Sequence, residues 1–105
     1  MDFQILAKRA RDIRQAYNEH NFRTGKKVWQ TGDYVQGLVG DIGDLVKLLL
    51  HQNTAENPQH LNQKIRHELA DVLWSLLAIS DSLGVDLEQE LKINLEYLEA
   101  KLLEK

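Results

Sequence analysis

The sequence predicts an all-α protein, a four-helix bundle, and three observations carry that expectation. Only one proline and six glycines interrupt 105 residues. Leu, Glu, Lys and Gln, all good helix formers, are abundant, which leaves little material for a sheet. Apolar residues recur at i, i+3/i+4 and i+7, the period of a helix that buries one face.

Helix 1 is expected from about Asp2 to about Asn21. The stretch from Asn21 to Gly32 reads as a loop, long for a bundle connection. Helix 2 is expected from about Asp33 to His51, with Thr31 or Asp33 as its cap. Asn53-Thr54-Ala55-Glu56-Asn57 reads as a turn, after which Asn57 can cap and Pro58 suits the first turn of helix 3, ending near Leu83-Gly84. Asp86, paired with Gln89 as in a capping box, starts helix 4, which runs to about Leu103. The expected core stripes are Leu38, Ile42, Leu45 and Leu49 in helix 2, and Ile65, Leu69, Val72, Leu76, Ile79 and Leu83 in helix 3. Short second and third connections suggest an up-down arrangement.

Residues 1–105 form a single domain on this reading, small enough that burial within one chain is incomplete and association with copies of itself would help. The absence of cysteine excludes disulfides, thiolate metal sites and a cysteine nucleophile, and fits a reducing cytoplasm. No apolar stretch reaches the ~20 residues of a membrane span, and the first residues do not read as an export signal. The net charge of -3 is unevenly placed. Residues 1–32 hold seven Lys/Arg against three acids, while the remainder holds six against thirteen. No helix joins concentrated positive charge to interleaved aromatics, so no nucleic-acid partner is expected.

Two acidic pairs stand out. Asp41 and Asp44 lie three apart on helix 2, Glu68 and Asp71 three apart on helix 3, and residues at that spacing are helix neighbours. Both pairs fall about a quarter turn to the same side of their apolar stripes, and both are symmetric about residue 56 in the expected turn. In an antiparallel hairpin the four carboxylates would converge on one patch. Their mutual repulsion is relieved by a hard divalent cation, and oxygen-only ligands point to Mg²⁺, or Mn²⁺, over Zn²⁺.

Val39-Gly40-Asp41-Ile42-Gly43-Asp44-Leu45 followed by Glu68-Leu69-Ala70-Asp71-Val72-Leu73 resembles the split acidic signature of the all-α nucleotide pyrophosphohydrolases, the MazG-like and dCTP-pyrophosphatase-like proteins. Trp74 to Leu87 also resembles the segment after the family's second half-motif, so the likeness covers about residues 33–91. The resemblance implies Mg²⁺-dependent hydrolysis of a (d)NTP to (d)NMP and pyrophosphate, for nucleotide-pool housekeeping, with Asp41, Asp44, Glu68 and Asp71 as metal ligands and catalytic residues. It implies assembly as a homodimer or homotetramer and substrate contacts at Trp29, Lys92 and Asn94, while Lys47, three residues after Asp44, could offset the acids or touch phosphate by its spacing. Gly40, Asp41 and Asp44 stand where the family signature carries glutamates. Glu96 stands where a helix 4 cation is common. A second class of reading follows from these departures: a catalytically weak or inactive relative that binds a metal or nucleotide, or serves as an oligomeric interaction module.

The glycines of helix 2 call for a reason, because each interior glycine costs about 1 kcal/mol relative to alanine. Gly37 and Gly40 fall on or beside the Asp44 face, where they would leave room for a nucleotide or a neighbouring helix, and Gly43 points to a close helix contact. Trp29 reads as a loop anchor or a base-stacking side chain. Trp74 reads as a subunit-interface residue. The four histidines form no ligand-spaced cluster, and neither a nucleophile arrangement nor a phosphate-binding glycine loop is present.

Overall fold

The computed structural model describes residues 2–52, 54 and 56–104. All four helices are present and no strand occurs among these residues: α1 (Phe3–Arg23), α2 (Thr31–Leu50), α3 (Pro58–Ser82) and α4 (Leu87–Leu103). Asn53 and Ala55, two positions of the expected turn, lie outside the described residues.

Local chemistry explains the ends. The Asp2, Asn57 and Asp86 carboxylate or amide oxygens accept from the backbone N–H groups of Gln4, His60 and Gln89 at 3.0, 3.1 and 3.2 Å, each satisfying a donor the first helical turn leaves free. Helix α2 starts two residues earlier than expected, and its cap is Gln30 rather than Thr31 or Asp33. Asp33 instead sits at the third helical position, where its carboxylate accepts from the Gln30 N–H at 2.8 Å and from Lys27 Nζ at 2.8 Å. Helices α1 and α3 both close on a left-handed glycine, Gly25 at φ 73° and Gly84 at φ 69°. The Lys26 N–H reaches the Asn21 carbonyl and the Val85 N–H reaches the Ser80 carbonyl, both at 2.8 Å, the bonding of a Schellman ending.

Helices α2 and α3 form the main contact, and α1 packs on α3. The seam between α2 and α3 takes Tyr34, Leu38, Asp41, Leu45 and Leu48 from one helix and Leu61, Ile65, Glu68, Val72 and Ser75 from the other, all buried or half-buried. Only part of each expected stripe turns inward. Ile42 and Leu49 on α2, and Leu69, Leu76 and Leu83 on α3, remain 39% to 62% exposed. The apolar arc of each helix is wider than one seam, so its second half faces away from the chain's own core.

That core is thin. Among the described residues no large side chain is fully buried, and the buried apolar set is Ala10, Tyr34, Leu61 and Ala78. Helix α4 contributes no buried residue. The radius of gyration is 17.1 Å, against about 13 Å for a compact chain of this length. The accessible surface is 8233 Å², about 2,200 Å² more than a compact protein of this mass exposes. The four helices are therefore present, but one chain does not close them around a common core. No helix among the described residues is long and apolar enough to cross a membrane.

Arg11 and Arg14 of α1 both donate to Asp81 of α3, the former from Nε at 2.7 Å. Burial opposes ionisation of Asp81, but the hydrogen bonds from Arg14 and then Arg11 outweigh it and hold the carboxyl below its ordinary pKa. This ion-pair pivot fixes α1 against the hairpin.

Candidate metal centre

Asp41, Asp44 and Glu68 converge across the α2/α3 seam, each offering a carboxylate oxygen within 4.8 Å of the other two. Asp41 and Glu68 are half-buried and Asp44 is exposed. Helix geometry explains the placement. Asp41 occupies a seam position one turn after Leu38 and one before Leu45, Glu68 the equivalent place between Ile65 and Val72, and Asp44 flanks the seam. Asp41 and Glu68 thus lie on the seam itself, not a quarter turn from the buried stripe as the spacing suggested. The reason is that the stripe divides, half inward and half outward.

The electrostatics are those of an uncompensated acidic site. Burial raises the pKa of Asp41, with the Asp71 and Asp44 charges adding to it. Burial also raises Glu68, reinforced by Asp41, Asp44 and Asp71 and partly offset by His67. Glu68 Oε2 is buried with no hydrogen-bond partner. A buried acceptor left unpaired costs about 1–3 kcal/mol, more when charged.

These residues fit a hard divalent cation. The donors are all carboxylate oxygens, and the orphaned Oε2 would gain a partner. The three oxygens lie within 4.8 Å of one another, and side-chain rotation would have to draw them closer to meet one small ion with bonds of about 2.0–2.1 Å.

Asp71 is not one of the three converging residues. Its carboxylate lies 3.4 Å from His67 Nε2, close enough to the triad to raise Asp41 and Glu68. It also borders an aromatic cleft of about 480 Å³ between α1, the loop before α2, and α3, whose walls include Asn18, Trp29, Tyr34 and Trp74. Trp29 is both anchored and accessible there. Its backbone N–H donates to Asn18 Oδ1 at 3.2 Å, its ring tilts against Tyr34 with centroids 5.3 Å apart, and it remains 44% exposed. Trp74 faces this cleft, so its position off the main stripe has a use within the chain.

On the opposite flank, Lys47 lies in a groove with Asp44 and Glu68. Lys92 and Asn94 are not brought to the triad. They sit on exposed α4, Lys92 pairing with Glu88 at 3.6 Å, and no α4 residue lines either cavity beside the triad. A Cβ at Gly37 would rest in ordinary van der Waals contact with the Trp29 ring at 3.6 Å, and one at Gly40 or Gly43 would meet nothing, so no contact within the chain requires a glycine at any of the three. Sequence reasoning missed Asn18, which ties the Trp29 loop to α1, and the Asp81 pivot. Arg11 and Arg14, three apart on one helix face, were the available signal for the pivot. Compared with models of protein families, with curated proteins and with solved structures, the chain matches none.

Proposed function

We propose that the protein is a Mg²⁺-dependent nucleoside triphosphate pyrophosphohydrolase, converting a (d)NTP and water to (d)NMP and pyrophosphate. The observation that carries this reading is the convergence of Asp41, Asp44 and Glu68 with a buried, unpartnered Glu68 Oε2. The neighbouring aromatic cleft supports it, because Trp29 and Trp74 offer ring faces on which a nucleobase can stack beside the acids. The resemblance of the acidic half-motifs to the all-α pyrophosphohydrolases points the same way. Mn²⁺ is the natural second choice of ion.

Bound Mg²⁺ would neutralise phosphate charge and lower the pKa of a water beside the α-phosphorus. Asp41, Asp44 and Glu68 hold the ion on this reading. Asp71, outside the triad yet on the cleft wall, would accept a hydrogen bond from the attacking water and orient it. The bond broken joins the α-phosphorus to its bridging oxygen, and pyrophosphate leaves on the side away from the base.

The test is nucleotide turnover. Purified protein with a panel of NTPs and dNTPs in Mg²⁺ or Mn²⁺ should release nucleoside monophosphate and pyrophosphate, and Asp44→Asn and Glu68→Gln should abolish release. The short Asp41 and Asp44 side chains favour a second reading, a binding protein without turnover. Metal binding with no hydrolysis of any nucleotide would select it.

Self-association belongs to the same proposal. Val35, Val39, Ile42, Val46 and Leu49 of α2, with Leu69, Leu73 and Leu76 of α3, form an apolar side of the hairpin that α1 leaves bare, each residue 39% to 66% exposed. The surplus surface of about 2,200 Å² matches what a stable oligomer buries. A second copy of this chain, as a homodimer or homotetramer, covers that side.

A further inference from the structure

The groove on the hairpin-turn side of the triad has about 560 Å³ and is walled by Asp44, Lys47, Leu48, His60, Lys64 and Glu68, among others. Lys47 stands one helical turn beyond Asp44, and Lys64 one turn before Glu68, so both ammonium groups share the wall on which the acids lie. Neither lysine makes an ion pair among the described residues. Two unspent cations are unexpected beside an acidic centre, in a stretch of chain with thirteen acids and only six Lys/Arg.

We propose that this groove seats the two distal phosphates of the nucleotide, and the pyrophosphate they become, with Lys47 and Lys64 as their direct contacts. The inference rests on the nucleotide reading above. Its ground is the order of chemistries along the hairpin: aromatic rings at Trp74 and Trp29, then the carboxylate triad, then the lysine groove. Trp74 and Lys64 are ten residues apart on α3, about 15 Å along the axis, the order of an extended nucleoside triphosphate. A base, a phosphate that the acids would hold through a divalent ion, and a multiply charged tail would meet matching surfaces in that sequence. Lysine suits a leaving group, because a point-charge ammonium holds phosphate without the fixed bidentate geometry of arginine. The adjoining carboxylates would repel a bare anion, so the tail binds only with the divalent ion in place.

Imidodiphosphate, a non-hydrolysable pyrophosphate analogue, is the probe, titrated calorimetrically into the 105-residue chain with Mn²⁺ present. Wild type should bind it, and Lys47→Ala with Lys64→Ala should weaken binding by about tenfold or more, since hydrogen bonds to charged groups are involved. Mn²⁺ affinity, read by electron paramagnetic resonance, and nucleoside monophosphate affinity should not change. Lys47→Arg with Lys64→Arg should retain binding, which separates lost charge from lost fold. Unchanged imidodiphosphate affinity in the alanine pair would overturn the groove assignment alone, with NTP binding and turnover intact. Wild type that binds Mn²⁺ but no imidodiphosphate and no nucleotide would overturn the nucleotide reading and this inference with it.

Discussion

The two sides of the α2/α3 hairpin answer opposite demands. On one, half-buried carboxylates crowd together with an unpartnered oxygen, and an aromatic cleft and a cationic groove flank them. On the other, valine, isoleucine and leucine side chains stand exposed in two parallel rows. The first arrangement places charge where desolvation is costly, the second places apolar surface where hydration is costly. Each is unfavourable for an isolated chain, and on the proposed function each would be relieved by a different ligand: a cation on one side, another copy on the other.

The comparison breaks most visibly at the acidic side. Glu68→Gln should lower turnover by about 10³-fold, or ~4 kcal/mol in the barrier, while raising the metal-free melting temperature, because it removes a charge whose pKa burial and its neighbours push up. A variant equally active and no more stable would show that the triad is a solvated patch. On the apolar side, Ile42→Asp with Leu73→Asp should weaken self-association by about 10² or more, seen by sedimentation velocity as a shift to monomer. Unchanged sedimentation would mean that this side is not covered by a second copy.

Smaller effects sharpen the contrast. Asp81→Asn should cost about 1–2 kcal/mol after allowing for its partial exposure, measured by urea denaturation, by loosening α1 from α3. The two kinds of carboxylate also respond oppositely to pH. Asp41 and Glu68 have raised pKa values in the folded state, so the folded protein takes up protons first. Metal-free stability should therefore rise as pH falls from 7 toward the ordinary carboxylate range near about 4. Asp81 has a lowered pKa, so its contribution is present above that range and is lost as pH falls through its folded value. Melting temperatures across pH should show a mildly acidic maximum, which saturating Mg²⁺ moves toward neutrality. A profile rising monotonically to pH 8 without metal would contradict the raised pair. Gly40→Ala should add up to about 1 kcal/mol to the unassembled chain, since a Cβ there meets nothing. A loss of nucleotide affinity or of assembly in that variant would give the glycine a purpose the single chain does not reveal.

Helix number, type and most ends were legible in the sequence because capping and apolar period are local. Asp2, Asn57, Asp86 and Gly84 all act where their residue types suggest. The start of α2 was not, because Gln30 is a weak cap whose use depends on Asp33 reaching back. Register alone predicts all four acids on one patch, and the structure brings Asp41, Asp44 and Glu68 within 4.8 Å of one another. Asp71 stays beside them but turns toward His67 and the cleft, a choice of rotamer that sequence spacing does not contain. Nor could periodicity separate the inward Leu45 from the outward Ile42 and Leu49. An apolar arc wide enough for two seams reads like one broad core stripe, and only a neighbouring helix decides which half is covered.

If a second copy covers the chain as proposed, the exposed α4 and the lack of any fully buried large side chain among the described residues would make abundance a physical variable for this protein. If part of its stability comes from mass action, melting temperature climbs with protein concentration. Dilution then acts as a denaturant, and a cell holding few copies would keep a larger unfolded fraction exposed to proteolysis than one holding many.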